Sequence, residues 1–217
     1  RRLVGQSGAD WPTRRRPLGA RSRRPFRFGM ADGCCRNGRR NGRPHDDRGQ
    51  GGGSPHHSPR SKEPGGGHTP WHADQYYWPL STNKTVTAWI PLQETTLELG
   101  PLEFSARSFE ITEGRDKEIG DESQAYLDNI LRNTGYEHVV EAFGLGEVSF
   151  HTGWLYHRAG PNTTNTMRKV MTMIYMDKDM KLKAPENKNQ QADWDAWCPG
   201  ATIGEVIDTE MNPVIFQ

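Results

Sequence analysis

His72 and Asp74 stand two residues apart in Thr69-Pro70-Trp71-His72-Ala73-Asp74-Gln75, and a second histidine, His157, stands far along the chain in Leu155-Tyr156-His157-Arg158-Ala159-Gly160-Pro161-Asn162. Two imidazoles and one carboxylate form the facial triad that holds non-heme Fe(II) and leaves coordination positions open for oxygen and a cosubstrate. Arg168 follows His157 by eleven residues. Its planar guanidinium is the fork that can grip a carboxylate of a small dicarboxylate through two N–H bonds.

Each assignment has a local rival. In an extended segment His72 and Asp74 face the same side and can reach one ion. His68 and His72, four apart, would instead make a helical metal pair, but Gly65-Gly66-Gly67 and Pro70 oppose a helix there. The distal ligand could be His151 or His157. His157 closes the apolar stretch Trp154-Leu155-Tyr156 and precedes the Gly160-Pro161 turn, so it is expected at a strand end facing a cavity. His151 reads better as a pocket residue or a neighbour of the ligands. Arg168 opens a run whose alternate residues Val170, Thr172 and Ile174 share its face, which places it across a turn from His157.

The elements that must carry these residues are short. Thr85–Ile90 is β-branched and aromatic and predicts a strand; Leu102–Phe104, His138–Ala142, Val148–His151 and Arg168–Met176 are further strand candidates. Ala125, Leu127, Ile130 and Leu131 recur at near-helical spacing within Glu122–Arg132, and Asn133-Thr134-Gly135 ends that helix. Short strands at regular spacing around a single inserted helix indicate an all-β barrel or sandwich.

Charge divides the chain. Residues 1–60 hold 15 Arg, no Lys and 4 acidic residues, a net of +11, whereas residues 61–217 hold 13 Lys plus Arg against 23 Asp plus Glu, a net of −10. The first 61 residues have too few large apolar groups to offset their ordering entropy and predict a disordered segment, leaving residues 62–217 as the folded domain. Three readings of that segment stand: a basic tail, an arm that binds RNA or another polyanion, or a stretch outside the native coding frame. The abrupt change near Lys62 and the absence of lysine favour the third. Few aromatics are present to stack on bases, so nucleic acid is an unlikely partner. Cys34, Cys35 and Cys198 suggest no disulfide framework. No apolar run is long enough to span a bilayer and no secretory pattern opens the chain, so a cytoplasmic location is expected.

From Lys62 onward the text resembles the phytanoyl-CoA dioxygenase family of Fe(II)/2-oxoglutarate oxygenases. The resemblance rests on Lys62-Glu63-Pro64-Gly65, Thr69 to Asp74, Ala88-Trp89-Ile90-Pro91-Leu92, Gly100-Pro101-Leu102-Glu103-Phe104, Gly146 to His151, and His157 through Asn162 to Arg168, in that order. It implies a double-stranded β-helix, the jelly-roll barrel shared with cupins, with a few helices, and a hydroxylase that uses Fe(II), 2-oxoglutarate and O2 and releases succinate and CO2. It implies further that His72, Asp74 and His157 hold the iron, that Arg168 pairs with the far carboxylate of 2-oxoglutarate, that Trp89 lines the cosubstrate pocket, and that Tyr77 and His151 lie near a small-molecule or acyl substrate. The retained carboxylate, Asp74, implies hydroxylation, because the resembling halogenases lose it to admit a halide. Two departures are evident. Ala106-Arg107-Ser108-Phe109 replaces the Gly-Ser-His-like turn usual after the Leu-Glu-Phe strand, and residues 1–61 carry no counterpart of the family's N-terminal helices and early strand. The alternative is a cupin-like barrel that binds a metal or ligand without catalysis; such a barrel has no need of Arg168.

Overall fold

The computed structural model describes residues 60–215 and two short strands, β1 (Leu3–Gly5) and β2 (Phe26–Gly29). The remaining strands are β3 (Arg60–Lys62), β4 (Thr69–His72), β5 (Thr85–Pro91), β6 (Leu102–Ser105), β7 (His138–Val140), β8 (Val148–Thr152), β9 (His157–Ala159) and β10 (Arg168–Asp177). Two helices, α1 (Asp121–Asn133) and α2 (Lys188–Trp197), complete the set. Apart from β1, β2 and β3, the segment expected to be disordered lies outside the described residues, as do Cys34 and Cys35.

Two sheets form the double-stranded β-helix. One runs β1-β8-β5-β10-β2, with β3 also paired to β10; the other runs β4-β9-β6-β7. β10 is the organising strand of the first sheet. It pairs antiparallel with β5 from Val170↔Pro91 to Met176↔Thr85, and its Arg168 end pairs with Lys62 of β3. β-Branched and aromatic residues suit these strands because alternate side chains enter the space between sheets. Trp89, Leu102, Phe104, Phe143, Leu155, Ala159 and Val170 fill it.

α1 follows Gly120, whose N–H is accepted by Ser123 Oγ at 2.9 Å, and Asp121 and Glu122 in the first turn suit the helix dipole. Leu127 and Leu131 bury its apolar stripe against Trp71 and Tyr156. The helix also grips β4 through polar atoms: Trp71 N donates to Gln124 Oε1 at 2.8 Å and the indole Nε1 reaches Asp128 Oδ1 at 3.4 Å. Because His72 is the next residue, α1 fixes where that imidazole stands.

α2 is the helix that local periodicity did not single out. Asn187 caps it, accepting from the N–H groups of Asn189 and Gln190, but its apolar content is confined to a few residues. Trp194 and Trp197 pack against Met176, Met180, Leu182, Cys198 and Ile207 in a third cluster behind the sheet. Cys198 is buried and free. No helix among the described residues is long and apolar enough to cross a membrane.

Candidate metal centre

His72 and His157 are direct cross-strand partners in the β4–β9 pair. Asp74 arrives differently from the extended arrangement that the His-X-Asp spacing suggests. β4 stops at His72, and Asp74 opens a 3-10 turn, Asp74–Tyr77, which turns its carboxylate back toward the two imidazoles. The turn is seated by the Gln75 N–H, which donates to Gly153 O at 2.9 Å. Gly153 has no room for a side chain: a Cβ there would lie 2.7 Å from Thr85 Oγ1 and 2.9 Å from the Trp78 ring.

One ligand atom from each of His72, Asp74 and His157 lies within 4.8 Å of the other two. Asp74 Oδ1 is 3.8 Å from His72 Nε2 and 3.6 Å from His157 Nε2. Each histidine uses its other nitrogen on a backbone carbonyl: His72 Nδ1 donates to Pro70 O at 2.8 Å and His157 Nδ1 to Leu155 O at 2.9 Å. A carbonyl accepts only, so Nδ1 carries the proton and Nε2 presents its lone pair to the cluster. Asp74 Oδ2 is held from behind, by Thr87 Oγ1 at 3.0 Å and His151 Nε2 at 3.3 Å, which leaves Oδ1 for the cluster. This is how outer partners orient metal ligands.

The ionisation states agree with that use. Burial by itself would raise the Asp74 carboxyl, but the His157 imidazole, the hydrogen bond from His151 and the nearby His72 together hold it far below the ordinary carboxylate range. Burial, reinforced by His72, pushes His157 well below the usual imidazole value. An ionised carboxylate and a neutral imidazole are the forms that bind metals. The residues present therefore fit a divalent ion such as Fe(II).

The triad opens into a cavity of about 90 Å³ that is also lined by Trp89, Arg168, Thr172, Ile174, Tyr77 and Ile119. Arg168 is 5 % exposed, donates to Gly100 O, and holds its guanidinium 5.6 Å from the centre of the Trp89 ring. Thr172 and Ile174 share its face of β10, as their spacing predicts. Tyr77 OH accepts the Ile119 N–H at 2.8 Å, and burial pushes its phenol up to about 12. It thereby ties the loop before α1 to the cavity wall.

His72, Asp74, Tyr77, Trp89, His151, His157 and Arg168 all line this cavity, His68 does not, and His151 stands behind Asp74 rather than among the three converging donors. Sequence reasoning missed Thr87, Ile119 and Lys62. Thr87 was the most accessible of these, since it lies two residues from Trp89 on the same face of β5. Ile119 carries no local signal, because a loop brings it in. Lys62 enters the sequence reading only as the start of the family-like stretch Lys62-Glu63-Pro64-Gly65, yet it is only 9 % exposed.

The sequence matches the phytanoyl-CoA dioxygenase family over residues 42–170, more than half of its length. The chain belongs to this family. The match begins upstream of Lys62, inside the segment that sequence reading left outside the resemblance. Among solved structures, this phytanoyl-CoA dioxygenase family member is similar to the non-heme alpha-ketoglutarate-dependent epimerase SnoN from nogalamycin biosynthesis (22 % identity, TM-score 0.54, 71 % of this chain and 58 % of that one). It is similar also to the carbocyclase SnoK of the same biosynthesis (24 %, 0.55, 70 % and 58 %). A further match is SnoN in complex with Fe3+, alpha-ketoglutarate and nogalamycin RO (24 %, 0.57, 70 % and 60 %). These likenesses establish the fold, and the chain spans about three-fifths of the length of each. A comparison with curated proteins finds no match.

Proposed function

We propose that this chain is an Fe(II)- and 2-oxoglutarate-dependent dioxygenase that hydroxylates a small-molecule or acyl substrate. The observation that carries the reading is the convergence of His72 Nε2, Asp74 Oδ1 and His157 Nε2 in a cavity whose wall holds a buried arginine.

His72, Asp74 and His157 are the metal ligands in this reading. Three protein donors leave the remaining positions to cosubstrate and oxygen. Bound there, iron with 2-oxoglutarate and O2 supplies the oxidising chemistry: one oxygen atom enters succinate as CO2 leaves, and the other enters a substrate C–H bond. The chain's own residues orient and shield. The Pro70 and Leu155 carbonyls fix both imidazole rings, and Thr87 and His151 keep Asp74 from rotating. Arg168 receives the far carboxylate of 2-oxoglutarate beside the Trp89 ring. Tyr77, Ile119 and Ile174 form the largely apolar side that a substrate C–H would meet, and they limit water there. Because similar folds include an epimerase and a carbocyclase, product identification is part of the test, since hydroxylation adds one oxygen atom to the product and the other outcomes need not.

Titration of 2-oxoglutarate into the anaerobic Fe(II) protein, followed by the metal-to-ligand charge-transfer band, tests the reading, together with succinate release across candidate substrates. Arg168→Lys keeps the charge but loses the fork. It should weaken the cosubstrate about ten-fold, equivalent to about 1.4 kcal/mol. Arg168→Ala should weaken it further and leave iron affinity nearly unchanged. Unchanged 2-oxoglutarate affinity in Arg168→Ala would favour a plain metal-binding barrel instead.

A further inference from the structure

Lys62 is a second buried cation beside Arg168. The two residues are paired across the β3–β10 ladder, and both are largely withdrawn from water. Lys62 Nζ donates to Gly160 O at 2.6 Å and lies 3.5 Å from Ala159 O; Ala159 itself lines the cavity. Arg168 donates to the carbonyl of Gly100. Gly100 and Gly160 meet so closely that a Cβ on Gly100, which adopts φ +67°, would collide with Gly160 O. Each cation thus holds one side of a glycine–glycine contact at the cavity wall. The lysine backbone is fixed as well: Asn162 Nδ2 donates to Lys62 O at 3.0 Å and to Glu63 O at 3.1 Å.

Two like charges placed side by side out of water repel and lose hydration. Burial first, and the Arg168 charge second, lower the Lys62 ammonium to about 8. Glu103 opposes that shift, but its Oε2 is shared with Arg158 Nε at 2.7 Å and His138 Nε2 at 2.8 Å. A cavity wall that carries the Arg168 guanidinium, with the Lys62 ammonium behind it, suits an anion.

We propose that Lys62 is a positioning residue for the cosubstrate's far carboxylate. It places a second positive charge behind Arg168, and it steadies the Gly160 carbonyl and hence the glycine contact on which the guanidinium rests. This inference depends on Arg168 being the 2-oxoglutarate anchor.

The test compares two ligands of equal chain length on the anaerobic Fe(II)-loaded full chain by calorimetry: 2-oxoglutarate, and 2-oxopentanoate, which lacks the far carboxylate. Wild type should prefer 2-oxoglutarate. Lys62→Met keeps the hydrocarbon stem and removes the charge, and it should cut that preference about ten-fold. Lys62→Arg should retain most of it. Equal weakening of both ligands, or no weakening, overturns the proposal, because a purely structural lysine would not tell them apart. Should Lys62→Met fail to fold, the wild-type preference is measured at pH 7 and at pH 9.5. Arg168 keeps its charge over that range, and metal-ligand effects cancel in the ratio. The preference should fall at the higher pH, and a constant ratio overturns the proposal. Absence of any preference in wild type at pH 7 would refute the cosubstrate reading itself, a result distinct from loss of preference in the variant alone.

Discussion

At the residue scale, the two histidines near Asp74 do different work. His157 presents Nε2 to the same carboxylate oxygen as His72, while His151 meets the opposite oxygen together with Thr87. His157→Ala should therefore abolish tight Fe(II) binding. His151→Ala should retain iron with an affinity lowered by about ten- to a hundred-fold, the usual cost of losing an outer partner, and Thr87→Val should behave alike. Equilibrium titration of Fe(II) into each variant decides the matter; iron retained without His157 and lost without His151 would reverse the assignment. The three converging donors were legible because residue type and motif order expose them. The grip on Asp74 was not, since Thr87 becomes its neighbour only when β5 lies beside the Asp74–Tyr77 turn.

At the element scale, the site depends on connections whose residues look unremarkable in the sequence. Gly153 is one. It accepts the Gln75 N–H and sits against Gln75, Thr85 and Trp78 without room for a methyl group. Gly153→Ala should destabilise the fold by about 1–3 kcal/mol, as overpacking does, and should weaken iron binding because the displaced turn carries Asp74. A thermal melt and a metal titration on the same protein would expose an error: full iron affinity in a destabilised variant would mean that the turn does not position the ligand. The larger elements were readable from periodicity. Thr85–Pro91 extends its expected strand by one residue, and α1 extends the expected helix by one residue at each end. β4 was harder, since glycines precede it and Pro70 lies within it. α2 was harder still, because its mostly polar sequence leaves Asn187 as the main signal and its two tryptophans find their partners only in the tertiary fold.

At the scale of the whole molecule, buried ionisable groups set opposing slopes in stability with pH. Lys62 titrates near 8 when folded and near its ordinary 10.5 when unfolded. Between those values the unfolded chain binds more protons, so this group makes stability rise with pH and imposes its full penalty below about 8. Cys198 acts in reverse. Burial raises its thiol from 9.0 to about 12, so above pH 9 the unfolded chain gives up a proton that the folded chain keeps, and stability falls. The difference between wild type and Lys62→Met isolates the first slope. In melts of the metal-free protein from pH 7.5 to 10, wild type should gain on the variant as pH rises. A constant difference would mean that the ammonium is not buried as a charge.

The two histidines proposed as iron ligands and the proposed cosubstrate anchor belong to different sheets. His72 and His157 lie on β4 and β9, whereas Arg168 and Trp89 lie on β10 and β5. A molecule chelating the metal at one end and held by the arginine at the other would span the interior as a removable brace. The apoprotein, the iron form and the iron form with 2-oxoglutarate should then differ in amide hydrogen exchange. Iron alone would slow exchange in β4 and β9, and the cosubstrate would extend that protection across to β10. In the proposed reaction each turnover would replace the brace with succinate, one carbon shorter and with the keto carbon turned into a carboxylate, so the barrel should breathe most at the moment product must leave.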